Sequence, residues 1–201
     1  MITVLLADDE HLIRGALASL LALEDDITVV AQAGTGDAAL ELARAHRPDV
    51  AVLDLQMPGL DGLAVAERLR TLAPACASVI VTGHARPGAL KRALSVGVLG
   101  FVSKTVSAGH LAQIIRTVHA GHRYIDPDIA ADAIDAGACP LTPREAELLS
   151  YADEGVPVAE IATRTSLSAG TVRDHLAAAA LKLGAENGTA AARIARAQGW
   201  L

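Results

Sequence analysis

Residues 1–15 read MITVLLADDEHLIRG, and two features of this stretch decide the fold. The run 2–7 (ITVLLA) is apolar and includes β-branched residues, which fits a parallel strand buried on both faces. Directly behind it stand three acids, Asp8, Asp9 and Glu10. Outward from this stretch, strand and helix alternate. A helix is expected at 12–23, where Ile13, Leu17, Leu20 and Leu21 recur at helical spacing, followed by a strand at 28–32 and a helix at 37–45. After the Arg47-Pro48 break come a strand at 50–55 (VAVLDL), a helix at 62–70, a strand at 78–82, a helix at 88–96, a strand at 99–103 and a helix at 107–120. Five βα units in succession predict an α/β fold, a parallel sheet with helices on both faces.

In such sheets ligands bind beyond the carboxyl ends of the strands. The first strand ends in Asp8 and Asp9, the third in Asp54, the fourth in Thr82, and the fifth leads to Lys104. Converging carboxylates repel one another, and a hard cation such as Mg²⁺, bound through oxygen, is the natural neutraliser. A cation beside Asp54 would also offset charge if that carboxylate attacked a phosphoryl group, with Lys104 and Thr82 holding the transferred oxygens. Solvated acids favoured by a helix dipole would account for Asp8 and Asp9 alone, but not for the whole set.

The segments LLADDE, VLDLQMPGLDGL, VTGHA and GFVSK occur in this order along residues 1–120. In motifs and spacing they resemble the receiver domain of bacterial two-component response regulators. That resemblance implies a flavodoxin-like, doubly wound, five-stranded parallel sheet. It implies Asp54 as phosphoacceptor, Asp8, Asp9, Asp54 and the backbone carbonyl of Gln56 as Mg²⁺ ligands, Thr82 and Lys104 as phosphoryl contacts, and Phe101 as an aromatic switch. A sensor histidine kinase is the implied phosphoryl donor. Receivers often carry a proline after the lysine, in a cis peptide; here Thr105 follows Lys104, and a cis bond before a non-proline residue is costly. A competing motif, AGTGDAA at 33–39, matches G-x-G-x-x-A through Gly34, Gly36 and Ala39. It follows the second strand rather than the first, and a dinucleotide site would leave Asp8, Asp9, Thr82 and Lys104 unexplained.

Composition bounds the rest. A chain of 201 residues is comfortable for two domains, and its 52% hydrophobic content allows two modest cores. The start lacks a basic n-region, so no signal peptide is expected. No apolar run reaches the ~18 residues that span a bilayer, so membrane insertion is not expected. Cys76 and Cys139 form no metal-type or redox pair, consistent with free thiols in a reducing cytoplasm. The four aromatic residues, Phe101, Tyr124, Tyr151 and Trp200, argue against a base-stacking platform.

Residues 121–139, with Gly121, Pro127, Gly137 and four aspartates, read as a linker, with a helical turn near 129–134. From 140 onward the pattern is all-helical. Thr142, Pro143 and Glu145 form an N-cap, first-turn proline and capping box. A short helix at 158–164, a turn, a longer helix at 169–183 and a last helix at 189–198 make a helix-turn-helix arrangement. Charge argues against nucleic acid: six cations (Arg144, Arg164, Arg173, Lys182, Arg193, Arg196) face seven acids, and a basic footprint is the usual sign. The motifs argue for it. LTPRE, EIATRTSLSAGTVRDHL and KLGAEN resemble the DNA-binding domain of LuxR/NarL-type regulators over residues 140–201, and the terminal AARIARAQGWL is similar to regulators of membrane-lipid desaturase genes in that family.

The resemblance implies that the helix at 169–183 enters the major groove of promoter DNA. Val172, Leu176, Ala179 and Leu183 should face the core, leaving Thr171, Arg173, Asp174, Ala177 and Ala178 for DNA, with Lys182 on a phosphate. Ala159, Leu181, Glu186 and Gly188 occupy positions where the family often has basic residues. One domain should therefore bind weakly, which makes homodimerisation on paired half-sites important. The expected protein is a transcription factor controlled by phosphorylation, not an enzyme. Two other classes stay open: a receiver whose C-terminal helices bind protein, and an aspartate-nucleophile phosphotransfer enzyme, although such enzymes carry the nucleophile after their first strand.

Overall fold

A computed structural model describes residues 1–83, 87–135 and 139–201. His84 and Ala85 of the VTGHA segment, and Gly137, lie outside them. The chain divides into two units, one built from residues 1–85 and 89–132, the other chiefly from 133–201.

In the first unit the strands are β1 (Ile2–Ala7), β2 (Ile27–Ala33), β3 (Val50–Asp54), β4 (Ala77–Thr82), β5 (Gly100–Ser103) and β6 (Tyr124–Ile125). They form one parallel sheet in the order β2-β1-β3-β4-β5-β6. The helices between them are α1 (His11–Leu21), α2 (Gly36–His46), α3 (Gly62–Leu72), α4 (Pro87–Ser95) and α5 (Ala108–His119). The five expected strands are present, and the sheet has a sixth. β6 lies in the expected linker and joins the edge through Gly100↔Tyr124 and Phe101↔Ile125. The expected turn in that linker is a full helix, α6 (Pro127–Asp135). None of the described peptide bonds is cis, so Lys104–Thr105 is trans.

Period-two alternation sorts the central strands between two faces. Val4, Leu6, Val52, Val79, Val81 and Val102 pack against Leu111, Ile114, Ile115 and Val118 of α5. Leu5, Leu53, Ile80 and Phe101 alternate with them and are fully buried. Gly36, second glycine of the dinucleotide-like motif, has a packing role: a Cβ there would lie 2.2 Å from the carbonyl oxygen of Leu60. Gly62 is equally constrained, since its Cβ would fall 2.2 Å from the carbonyl oxygen of Asp54. Only glycine lets α3 start this close to the end of β3.

The second unit consists of α7 (Pro143–Asp153), α8 (Val158–Thr165), α9 (Ala169–Lys182) and α10 (Gly188–Ala197). The capping box at Thr142 and Glu145 is formed, with Pro143 in the first turn. Ser166 turns the chain in the left-handed conformation (φ 56°), and Ser168 then caps α9 through the amide of Thr171. Val172 and Ala179 are buried, and Leu176 bridges the two apolar clusters of the unit. Ala179, Ala180, Ala191, Ala192 and Ala195 form most of one cluster. Their short side chains let α9 and α10 approach closely.

Candidate functional site

The parallel topology carries the ends of β1, β3, β4 and β5 to one edge of the sheet. Asp8, Asp54 and Thr82 are buried there, and Lys104 follows β5. The Lys104 Nζ lies 2.9 Å from Asp54 Oδ2, 2.9 Å from Asp8 Oδ2 and 2.9 Å from Glu10 Oε2. The amide of Gln56 donates to Asp54 Oδ1 (3.2 Å), that of Glu10 to Asp8 Oδ1 (2.8 Å), and the Arg14 guanidinium to the carbonyl of Asp8. Each buried carboxylate thus has one oxygen on a backbone amide and one on the ammonium. Burial of charge on this scale is tolerated only when the groups are paired in this way.

Burial raises the Asp54 carboxyl above its ordinary range; hydrogen bonds from Lys104 and Gln56 oppose that rise, and the neighbouring Asp8 adds to it. Burial disfavours the Lys104 ammonium, but its hydrogen bonds to Asp54, Asp8 and Glu10 prevail and hold its pKa above the ordinary value. The aspartate is costly to ionise and the lysine stays charged. That combination suits a nucleophile beside a fixed cation.

Carboxylate oxygens of Asp8, Asp9 and Asp54 lie within 4.8 Å of one another. Opposite ligands of octahedral Mg²⁺ stand about 4 Å apart, so a small closure would bring these hard oxygens onto one ion. The backbone of Gln56 adjoins them, its amide donating a hydrogen bond to Asp54 Oδ1. Thr82 is buried at the end of β4, and its carbonyl accepts from the Lys104 amide at 2.8 Å. Phe101 on β5 is 1% exposed, so its ring already lies in the core. Its carbonyl accepts from the amide of Asp126 at 2.9 Å, which ties the strand carrying it to the segment behind β6.

Sequence reasoning gave Glu10 no role of its own. Its signal was present in the third acid of the DDE run, but the partner, Lys104, is 94 residues away.

The second candidate surface is α9. Arg173, Asp174 and Ala177 are exposed on it, and Thr171 and Ala178 are half-buried. The Thr171 hydroxyl pairs with Ser168 Oγ at 2.8 Å. Most cations of this unit are already engaged: Arg144 with Glu147 (2.6 Å), Arg164 with Glu160 (2.5 Å), Arg196 with Asp153, and Lys182 with the buried Glu145 (2.7 Å). Among the described residues, Arg173 and Arg193 make no ion pair in this unit. The Lys182 pair fastens the end of α9 to the capping box of α7, where Glu145 Oε2 also accepts from the Thr142 amide at 2.7 Å.

That pair has a pH signature. Burial raises the Glu145 carboxyl, but the bonds from Lys182 and Thr142 outweigh it and leave the pKa below the ordinary value. A depressed folded pKa gives stability that is complete above the unfolded value, about 4.3, and is lost as pH falls through the folded value. Glu145→Gln cannot ionise and should lose this acid dependence, and the variant should melt at a lower temperature at neutral pH. Trp200, the single tryptophan, packs in this unit and reports its melting by fluorescence. An unchanged pH dependence in the variant would show that Glu145 does not carry it.

The chain matches the family model "Response regulator receiver domain" over residues 4–116 and "Bacterial regulatory proteins, luxR family" over 139–195. It is 38% identical over 200 residues to the transcriptional regulatory protein DesR of Bacillus subtilis, covering 100% of this chain and 99% of that protein. The crystal structure of the response regulator ChrA, from a heme-sensing two-component system, matches with TM-score 0.60 and 32% identity over 100% of this chain and 98% of that one. The response regulator RcsB in complex with DNA shares the fold, with TM-score 0.69 and 23% identity over 98% of each chain.

Proposed function

This chain belongs to the response regulators that join a receiver domain to a LuxR-family DNA-binding domain and regulate transcription, and we propose that phosphorylation of Asp54 controls its binding to promoter DNA. The observation that carries the proposal is the 2.9 Å contact of Lys104 with a buried Asp54 inside a cluster of acids. Family membership makes this a regulator rather than an enzyme. We place its receiver at residues 1–120, a connecting segment at 121–139 whose start adds β6 to the receiver's sheet, and its DNA-binding domain at 140–201.

The donor is a sensor histidine kinase. An Asp54 carboxylate oxygen attacks phosphorus, and the bond to the donor's leaving group breaks with its electron pair. Mg²⁺ held by Asp8, Asp9, Asp54 and the Gln56 carbonyl would neutralise charge on the attacking and transferred oxygens. Lys104 turns one N–H from Asp54 to a phosphoryl oxygen, and the Thr82 hydroxyl donates to another. Phosphorylation would favour the inward position of Phe101, where its ring already lies. Phosphate shifts the equilibrium only through stronger interaction with the active arrangement.

The output is a homodimer on paired half-sites. Helix α1 exposes Leu12, Ile13 and Leu20, with Leu23 just beyond it, an apolar surface suited to a second copy together with α5. On DNA, Thr171, Arg173, Asp174 and Ala177 of α9 would face the groove. Lys182 has three donors, of which Glu145 uses one, and could share its ammonium with a phosphate. The chain's membership among response regulators supports a cytoplasmic location; no helix among the described residues is long and apolar enough to cross a membrane.

The test follows labelling, sedimentation and duplex binding together. Wild type with a small phosphodonor and Mg²⁺ should become dimeric and tighten on DNA fragments selected from a random pool. Lys104→Ala should still take up label but show neither response. Normal dimerisation and DNA gain in that variant would refute the coupling. Duplex binding that never appears, even at low salt, would favour a C-terminal unit that contacts protein.

A further inference from the structure

Three carboxylates share one ammonium, yet they are not equivalent. Asp8 and Asp54 belong to the cluster of acids able to hold a metal, and Glu10 does not. Glu10 immediately precedes α1, and its side chain makes no cap to that helix. Its carboxylate is instead directed to Lys104, at 2.9 Å, and is about half exposed while Lys104 is largely buried. Capping and core packing leave this contact unexplained.

We infer that Glu10 is a positioning residue for Lys104: it holds one N–H of the ammonium so that the others point at the phosphoryl group on Asp54. This inference rests on the phosphoacceptor reading above. A lysine ammonium has three donors on a flexible four-carbon stem. Here it donates to Asp54 and Glu10 and lies 2.9 Å from Asp8 Oδ2 as an ion pair. With the oxygens of Asp8 and Asp54 committed to metal and phosphoryl group, the ammonium would turn from them and Glu10 would retain its hydrogen bond. It keeps the stem from swinging into water. The entropy of ordering Lys104 is thus already met before the phosphoryl group arrives.

The experiment measures binding of beryllofluoride, a phosphoryl mimic, to the full chain at saturating Mg²⁺, alongside Mg²⁺ affinity alone by calorimetry. Glu10→Ala should raise the half-saturating beryllofluoride concentration about two- to fivefold, the range expected for a partly exposed ion pair. Glu10→Gln, which still accepts a hydrogen bond, should recover part of that loss. In a Lys104→Ala background the effect of Glu10→Ala should vanish, since residues that act through one contact are coupled. An undiminished effect in that background would overturn the inference. So would tighter beryllofluoride binding by Glu10→Ala, which would make Glu10 a competitor, or an equal loss confined to Mg²⁺ affinity, which would make it part of the metal's field. Wild type that binds no beryllofluoride would refute the phosphoacceptor reading itself; wild-type binding with an indifferent Glu10→Ala would refute only the role of Glu10.

Discussion

Asp54→Ala is expected to take up no label from a small phosphodonor with Mg²⁺ under conditions that fully label the wild type. Asp54 ends β3, is 5% exposed and is the acid at the site whose charge both Lys104 and the Gln56 amide address. The substitution should leave the fold standing, because Lys104 keeps Asp8 and Glu10 as partners and no buried charge is orphaned. Loss of label together with an intact unfolding transition would therefore report chemistry rather than collapse. Asp8→Ala and Asp9→Ala should still be labelled but need on the order of tenfold more Mg²⁺ or beyond, a loss seen even for residues that merely support a ligand. Full, metal-independent labelling of Asp54→Ala would sink the phosphoacceptor assignment.

The second large effect is expected at Arg173. With four of the unit's cations engaged by acids, few remain for phosphates, and each neutralised phosphate contributes about 0.9 to the logarithmic salt slope. Binding should have a shallow slope and require paired half-sites. If Arg173 makes a bidentate base contact, Arg173→Ala should cost roughly 1–3 kcal/mol per domain and relax preference at one position of each half-site. If it contacts phosphate alone, affinity should fall evenly across sequences and the slope by about one unit per domain. Unchanged affinity and unchanged preference would take α9 out of the groove.

The two units differ in how their chemistry was written into the chain. Asp8, Asp54, Thr82 and Lys104 were legible because each ends a strand or follows one, and a parallel sheet must bring such ends to one edge. The faces of α9 were legible from Val172, Leu176 and Ala179 at helical spacing, which fixed its buried side and hence its exposed one. Strand β6 was not legible: Tyr124 and Ile125 are too few to show a period, and they join β5 by backbone bonds that any side chains could accompany. The sequence argued against a dinucleotide site at Gly36, but it could not foresee that a Cβ there would meet the Leu60 carbonyl, or that Phe101 lies buried.

By itself the sequence determined the layers, the strand ends and the faces of the helices, because burial patterns are local and repeat with the period of the backbone. Only the tertiary structure decided which charge meets which. Lys104 reaches Glu10 across 94 residues, and Lys182 reaches Glu145 across 37. A long, flexible cationic side chain can serve any carboxylate within several ångströms. Its partner is set by how separate elements pack, a relation that no local pattern of residues records.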